Sequence, residues 1–485
     1  MTSIQGLTMA LALSLAAPAM AQSALTPCRV DGLKNEALCG QLNRALDPAR
    51  PQGTHVTVHY LVVPALARRK LPDPVFLLAG GPGQSAITLA GQLMPLLGRL
   101  GNRRDLVFVD QRGTGRSAPL ICDDVRHQPL AQSLDGAAQE IRMQQCREAL
   151  MKLPHGDLRQ YTTTIAMQDL DAVRERLGAE QINLVGASYG TRAALEYLRQ
   201  FPQHVRRVIL DGVAPPDMVL PASFSTDSQA ALEQMFDACE AEADCRQRHP
   251  RLRQDWTALL AGLPKTVTLN HPLTGQPERL TLTRDAVLGA VRGPLYVPGY
   301  ASALPQAIAD ARQGRFEGLA GLSGLLGSGR AARLSMGMHF SVVCAEDVPR
   351  LDRARDAGGK DFGAQFAEAY TRICKDWPRG PVSAEFYQVK PSPVPVLLLS
   401  GGSDPATPPR HGERVAKALG AKALHVIVPN AGHGVMGLGC ARDLVFRFIS
   451  AAEDKDALAL DAGCVSRIPR PPAFQPVQIG SEARP

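Results

Sequence analysis

The pentapeptide Gly186-Ala187-Ser188-Tyr189-Gly190 constrains this chain more than any other segment. It follows Gln181-Ile182-Asn183-Leu184-Val185, which has strand character, and precedes Thr191 to Leu198, which reads as a helix. A serine flanked by glycines at such a junction predicts a turn so tight that the residues two before and two after must be small. The serine is then carried beyond the end of the strand, and the helix aims its N-terminus at it. Peptide dipoles there favour negative charge, which is what develops on a carbonyl oxygen during acyl transfer. The segment nominates Ser188 as a nucleophile. The same five residues also describe an ordinary glycine-flanked turn, so the rest of the chain must supply the context.

That context is a repeating pattern of strands and helices. His55 to Val63 alternates, with Val56, Val58, Tyr60 and Val62 on one face, and predicts an early antiparallel strand. Short apolar runs follow at Pro74 to Ala79, at Asp105 to Asp110, before Ser188, and at Val205 to Gly212. Residues 166 to 177 read as a helix with Met167, Leu170, Val173 and Leu177 on one side. Buried strands alternating with helices predict an α/β fold with a mostly parallel sheet covered on both faces. From about Ala214 to Ser392 the alternation stops and helical segments dominate. It resumes at Val394 to Ser400 and at Leu424 to Val428. The expected organisation is a sheet domain over 22–213, a mainly helical cap over 214–392, and the rest of the sheet domain over 393–485.

A serine hydroxyl needs a base, and the base needs a carboxylate to orient it. With the strand–turn–helix serine, the order along the chain should be Ser, then Asp or Glu, then His. Asp404 lies in Gly401-Gly402-Ser403-Asp404-Pro405, just past a strand, where active sites of open parallel sheets form. His433 lies in Asn430-Ala431-Gly432-His433-Gly434, past the last strand. Asp211, at the end of the strand after the nucleophile helix, is the reserve acid. His411 follows Asp404 too closely, and His425 falls inside a strand. The tetrahedral oxyanion needs two N–H donors. Tyr189, next to the nucleophile, should supply one and Gly81 of Gly80-Gly81-Pro82-Gly83 the other, because Pro82 has no N–H. This chemistry calls for no cofactor and no metal.

Three segments together resemble one family. Gly80-Gly81-Pro82-Gly83, Asp110-Gln111-Arg112-Gly113-Thr114-Gly115-Arg116-Ser117 and Gly186-Ala187-Ser188-Tyr189-Gly190 resemble the prolyl aminopeptidase family of α/β-hydrolases. The large insertion and Asp404-x-x-Thr407-Pro408 are more similar to its secreted tripeptidyl aminopeptidase branch. So is Ala79, where the cytoplasmic enzymes carry a histidine. The resemblance spans both halves of the sheet, about 300 residues, and the cap only loosely. It implies the α/β-hydrolase fold and removal of residues or short peptides from peptide N-termini. It also implies an acidic group in the cap for the substrate amine, for which Glu346 and Asp347 are the candidates. Arg112 and Asp110 read as braces for the loop near the oxyanion hole. The string lacks the Lys-Ser/Thr of a phosphate-binding loop. A cap of different shape would make the chain an esterase or amidase on small non-peptide substrates. A non-catalytic scaffold would lack a member of the Ser, Asp and His set, and none is missing.

The first 21 residues have the character of an export signal: Leu7 to Ala19 is almost wholly apolar, and Ala19-Met20-Ala21 is a small-x-small cleavage site. Ten cysteines agree with an oxidising, periplasmic or extracellular setting. Their simplest connectivity is sequential: Cys28 with Cys39, Cys122 with Cys146, Cys239 with Cys245, Cys344 with Cys374, Cys440 with Cys464. The paired Cys-x-x-Cys spacing of a zinc site is absent. A net charge of +7 from 53 basic and 46 acidic residues is modest at this length, with no basic run interleaved with aromatics. Nucleic acid is therefore not an expected partner. Past the leader no segment is long and apolar enough to hold the chain in a membrane. The expected partner is a peptide or small acyl substrate, and the oligomeric state stays open.

Overall fold

A computed structural model describes residues 25–123, 128–325, 333–354, 356 and 358–476; the expected leader, residues 1–21, lies outside them. The main sheet has nine strands: β1 (Thr26–Cys28), β2 (Ala37–Ala45), β3 (His55–Val63), β4 (Val75–Leu78), β5 (Leu106–Val109), β6 (Ile182–Ala187), β7 (Val205–Asp211), then β10 (Val396–Gly401) and β11 (Ala423–Val428). Two more, β8 (Lys265–Asn270) and β9 (Pro277–Leu282), pair only with each other. The spatial order is β1-β2-β3-β5-β4-β6-β7-β10-β11. The first three strands run antiparallel and join β5, while every pairing from β5 to β11 is parallel. This is the α/β-hydrolase fold: a mixed, mostly parallel sheet with helices on both faces.

The sequence pattern explains the two faces. Successive residues of a strand point to opposite sides. In β4, Phe76 and Leu78 enter one core while Val75 and Leu77 enter the other. In β10, Val396 and Leu398 share the first core, and Leu397 and Leu399 the second. Ala193, Ala194 and Leu198 of helix Tyr189–Gln200 cover one side. Ala90, Leu97 and Leu100 of helix Ala86–Gly101 cover the other, with Leu444, Val445 and Phe448 of helix Ala441–Ser450. Strands buried on both faces need apolar residues throughout, which is why β4 and β5 carry no polar side chain.

Neighbouring β7 and β10 are separated in sequence by the whole segment between Asp211 and Val396. That segment has its own apolar core, including Leu232, Phe236, Trp256, Leu288 and Ile308. The β8–β9 hairpin inside it was not legible in a stretch read as helical. Its exposed positions are Lys265, Thr266, Thr268, Asn270, Pro277, Arg279 and Thr281, and only Leu269, Leu280 and Leu282 are buried. Five disulfides join Cys28 to Cys39, Cys122 to Cys146, Cys239 to Cys245, Cys344 to Cys374 and Cys440 to Cys464. No helix among the described residues is long and apolar enough to cross a membrane.

Asp110 and Arg112 brace the loop after β5. Asp110 accepts from Ser85 Oγ (2.7 Å), Ile87 N (3.1 Å) and Arg116 N (3.2 Å). Arg112 forks onto buried Asp169 through Nε (2.7 Å) and Nη2 (2.9 Å), and its Nη1 reaches the carbonyls of Leu46 (2.7 Å) and Gln160 (3.0 Å). Removing one member of such a pair strands the other charge in the interior. Arg112→Ala would leave Asp169 paired only with the part-exposed Arg44 (Nε 3.1 Å from Oδ1), so it should cost about 3 kcal/mol of unfolding free energy in a denaturant titration, the low end for a broken buried pair. Arg112→Lys should recover only part of it, since an ammonium cannot make the planar fork.

Candidate active site

Ser188 sits between β6 and helix Tyr189–Gln200 with φ +55° and ψ −123°. This backbone region is costly for a residue with a side chain and persists only where the surroundings enforce it. The flanking glycines show how they do so. A Cβ on Gly190 would overlap the Leu78 carbonyl of β4, and one on Gly186 would overlap the Gly190 carbonyl. The helix can therefore start hard against the sheet only with glycine at both positions. Ser188 N donates to the Asp211 carbonyl of β7 at 2.9 Å, and Ser188 O accepts from Thr191 N at 2.9 Å. Its side chain is left half-buried at the sheet edge.

The strands next in line deliver the other two residues. Gly401 ends β10 opposite Val428, which ends β11, so the loops carrying Asp404 and His433 leave from the same edge. His433 Nδ1 lies 2.8 Å from Asp404 Oδ2. Asp404 is buried, and its carboxylate also accepts from Ala406 N (2.7 Å), Thr407 N (2.9 Å) and Thr407 Oγ1 (2.8 Å). Burial opposes its charge, but His433 and these donors outweigh burial and hold its pKa below the ordinary value. For His433, burial disfavours the cation, and the Asp404 carboxylate outweighs it and raises the pKa above the usual 6.5. The backbone N–H of His433 donates to the Tyr296 carbonyl at 2.8 Å, and the Tyr296 ring meets the imidazole edge-on at 5.2 Å.

Sequence reasoning ranked Asp211 as the reserve acid. Its carboxylate instead accepts from Val435 N (2.8 Å) and Met436 N (3.0 Å), which anchors the loop that carries His433. Next to it, Gly212 at φ +68° clears the imidazole: a Cβ there would lie 3.2 Å from His433 Cε1. The other histidines are engaged elsewhere, His411 Nε2 with Asp227 (2.9 Å) and His425 Nε2 with Ser400 (2.9 Å). Thr407, which bonds both Asp404 Oδ2 and His433 Nδ1 (3.1 Å), entered the sequence reading only through Asp404-x-x-Thr407-Pro408 and without a role, and Tyr296 went unnoticed. The Asp404-x-x-Thr407 spacing, a turn in which a side chain folds back on its own acid, was the signal for the first. Nothing local marks the second.

Gly81 and Tyr189, the expected oxyanion donors, line one narrow cavity with Ser188, Arg192, Phe224, Tyr296 and Thr407. Gly80 presses on the serine, since a Cβ there would lie 3.1 Å from Ser188 Cβ. Glu346 and Asp347, the expected amine-binding acids, are buried and are not among the residues lining that cavity. Asp347 forks onto Arg192, with Oδ2 2.9 Å from Nη1 and Oδ1 3.0 Å from Nη2. Glu346 accepts from Thr163 N (2.7 Å) and Thr163 Oγ1 (3.0 Å) and lies 3.5 Å from Arg192 Nη1. All three charged side chains are buried. Burial pushes the Glu346 pKa up to about 7 despite the opposing guanidinium. The two acids hold Arg192, one helical turn past Ser188, against the cavity. Their spacing on the chain could not reveal this, because Arg192 lies 154 positions before Glu346. Among the described residues no group of three His, Cys, Asp or Glu is placed to hold a metal ion.

A family model described as alpha/beta hydrolase fold matches residues 73–439. The chain is similar to the serine protease Hip1 of Mycobacterium tuberculosis, with 28% identity over 81% of this chain and 82% of that protein. It is 30% identical to a tripeptidyl aminopeptidase of Streptomyces lividans over 39% of this chain and 38% of the relative. It is 27% identical to carboxylesterase B of Mycobacterium tuberculosis over 79% of this chain and 78% of that protein.

The paired shifts set a pH dependence. The raised His433 pKa adds stability that is complete below about 6.5 and is lost as the pH rises through the higher folded value. The lowered Asp404 pKa adds stability present above the ordinary carboxylate range and lost as the pH falls through its depressed value. Asp404→Asn should move the His433 titration, followed by NMR of the imidazole protons, to lower pH. An unmoved titration would show that the carboxylate does not set it.

Proposed function

The chain belongs to the α/β-hydrolase family and is a serine hydrolase, and we propose that it is a peptidase that removes residues or short peptides from peptide N-termini through an acyl-enzyme on Ser188. The observation that carries the assignment of residues is the strained Ser188 turn at the same sheet edge as the His433–Asp404 pair. His433 takes the Ser188 proton as the hydroxyl attacks the carbonyl carbon. Asp404 holds the proton on Nδ1, which leaves Nε2 as the base, and stabilises the imidazolium that forms. The N–H groups of Tyr189 and Gly81 receive the oxyanion; removing one such donor typically costs about 3–4 kcal/mol of barrier. The imidazolium then protonates the departing amine, water enters, and the same residues run in reverse to release the acid.

The peptide part of this reading is supported by the relatives named serine protease and tripeptidyl aminopeptidase. We take the inserted segment, residues 214–392, as a cap that closes over Ser188 and shapes the acyl site through Phe224 and Tyr296. Five disulfides suit an oxidising compartment, so the proposal puts the enzyme outside the cytoplasm, in a periplasm or beyond it. A second reading, an exported esterase or amidase on small non-peptide substrates, is favoured by the carboxylesterase relative. Both readings share Ser188, His433 and Asp404.

A panel of aminoacyl and tripeptidyl amides, each with a free or acetylated N-terminus, separates the two. The aminopeptidase reading expects acetylation to cut kcat/KM by at least about tenfold, the worth of one charge-assisted contact. Equal rates favour the second reading. Ser188→Ala should abolish turnover of every substrate. In the wild type, kcat/KM should fall on the acid side, with an apparent pKa above 6.5 because protonated His433 cannot act as base.

A further inference from the structure

The loop Gly80-Gly81-Pro82-Gly83 is poorly fixed by its own residues. Gly81 and Gly83 adopt φ +109° and +112°, where only glycine is at ease and where glycine itself is most free to move. Pro82 has no N–H, so its carbonyl is the only backbone group by which it can be held. An oxyanion donor works by being aimed before the charge arrives, so something outside the loop must fix its direction.

That something is the start of helix Met336–Glu346 and the residues just before it. Leu334 Cδ2 lies 3.1 Å from where a Cβ of Gly81 would stand. Ser335 N donates to the Gly83 carbonyl at 2.9 Å. His339 Nδ1 lies 3.2 Å from the Pro82 carbonyl, and its Nε2 lies 2.9 Å from the Tyr370 hydroxyl. A carbonyl can only accept, so Nδ1 carries the proton; a neutral ring must then accept at Nε2, and the Tyr370 hydroxyl donates to it. Burial lowers the His339 pKa to about 4, so the ring stays neutral at ordinary pH and keeps one orientation. Tyr370 is on helix Gln365–Cys374, which the Cys344–Cys374 disulfide fastens to the helix bearing His339. Trp377 Nε1 donates to Ser341 Oγ at 3.1 Å on that same helix.

We propose that His339 is a positioning residue for the reaction: its Nδ1–H grips the Pro82 carbonyl, with Tyr370 setting the ring, and so aims the Gly81 N–H at the oxyanion. The inference rests on the serine-hydrolase reading of Ser188 and deepens it by giving the inserted segment a direct part in the oxyanion hole. His339 touches no reacting atom. Its effect should fall on the transition state and leave ground-state binding alone.

Two amide substitutions separate this role from packing. In His339→Asn the side-chain Nδ2 can stand where Nδ1 stood and still donate to Pro82. In His339→Gln the amide reaches the Nε2 end and cannot. With p-nitrophenyl butyrate, which either reading of the substrate allows, His339→Gln should lower kcat by about 10–100-fold at nearly unchanged KM, a fraction of the loss for a whole oxyanion donor. It should weaken inhibition by phenylboronic acid, which forms a tetrahedral adduct on the serine, by a similar factor. His339→Asn should stay within about threefold of wild type on both measures. Thermal midpoints of both variants identify any loss from unfolding. Tyr370→Phe, which keeps the ring and removes only the hydroxyl, gives a third reading: a smaller drop in kcat and boronate affinity at constant KM. Equal losses for Asn and Gln, a change confined to KM, or a silent Tyr370→Phe beside unfolded His339 variants would each overturn the proposal. If Ser188→Ala still turns over substrate, the underlying reading fails instead. A fully active His339→Gln beside an inert Ser188→Ala overturns the positioning role alone.

Discussion

The backbone of Ser188 at φ +55° is the constraint on which the rest of the site depends. It is held by contact: the Leu78 carbonyl beneath Gly190, the Gly190 carbonyl beneath Gly186, and the hydrogen bond from Ser188 N to the Asp211 carbonyl. Those contacts require β4, β6 and β7 to be neighbours in the sheet, and they are. The strain is local and the enforcing contacts come from three strands, so the turn cannot relax without disturbing the sheet. The sheet order also puts β10 and β11 next in line. Asp404 and His433 therefore reach one edge from adjacent strands with little loop between strand and side chain.

Buried charge fastens the loops around that edge. Arg112 on Asp169, Arg192 between Asp347 and Glu346, and Asp211 on the amides of Val435 and Met436 each tie a loop or helix to a distant piece of chain. A buried ion pair adds little net stability when weighed against an apolar replacement, yet a single broken partner is expensive. Such pairs are suited to fixing where a loop sits. Asp211 illustrates this. Its position past a strand is what an acid of this reaction would have, but its oxygens face backbone amides, and burial raises its pKa despite those amides and the nearby His433.

The inserted segment leaves the sheet where β7 ends, at the edge that carries Ser188, Asp404 and His433. Because β10 runs parallel to β7, the chain must return to the opposite end of the sheet, so contacts rather than topology bring parts of the segment to the site. Its ties to the sheet domain are both apolar and polar: Met338, Phe340, Val343 and Trp377 share a buried cluster with Leu46, Val56, Leu120 and Tyr189, and Tyr296 O meets His433 N, His339 meets Pro82 O and Asp227 meets His411. The Cys344–Cys374 disulfide and the Cys239–Cys245 disulfide lie within this segment. It is held together internally by an apolar core and these disulfides, and to the sheet domain by a shared apolar cluster and hydrogen bonds.

The sequence by itself determined the local geometry. Gly186 and Gly190 announce a turn that admits no Cβ, and the apolar runs of β4 to β7 and β10 announce strands buried on both faces. The order of Ser188, Asp404 and His433, each past a strand, follows from the same reading, because these are properties of consecutive residues. Tertiary structure decided what each charged side chain meets. Glu346 and Asp347 carry no mark of Arg192, nor His339 of Pro82, because those partners are far away in sequence and are brought together only by packing of the inserted segment on the sheet. A carboxylate's role depends on whether a cation, an amide or open cavity stands within about 3 Å of it, and that distance is set by the fold.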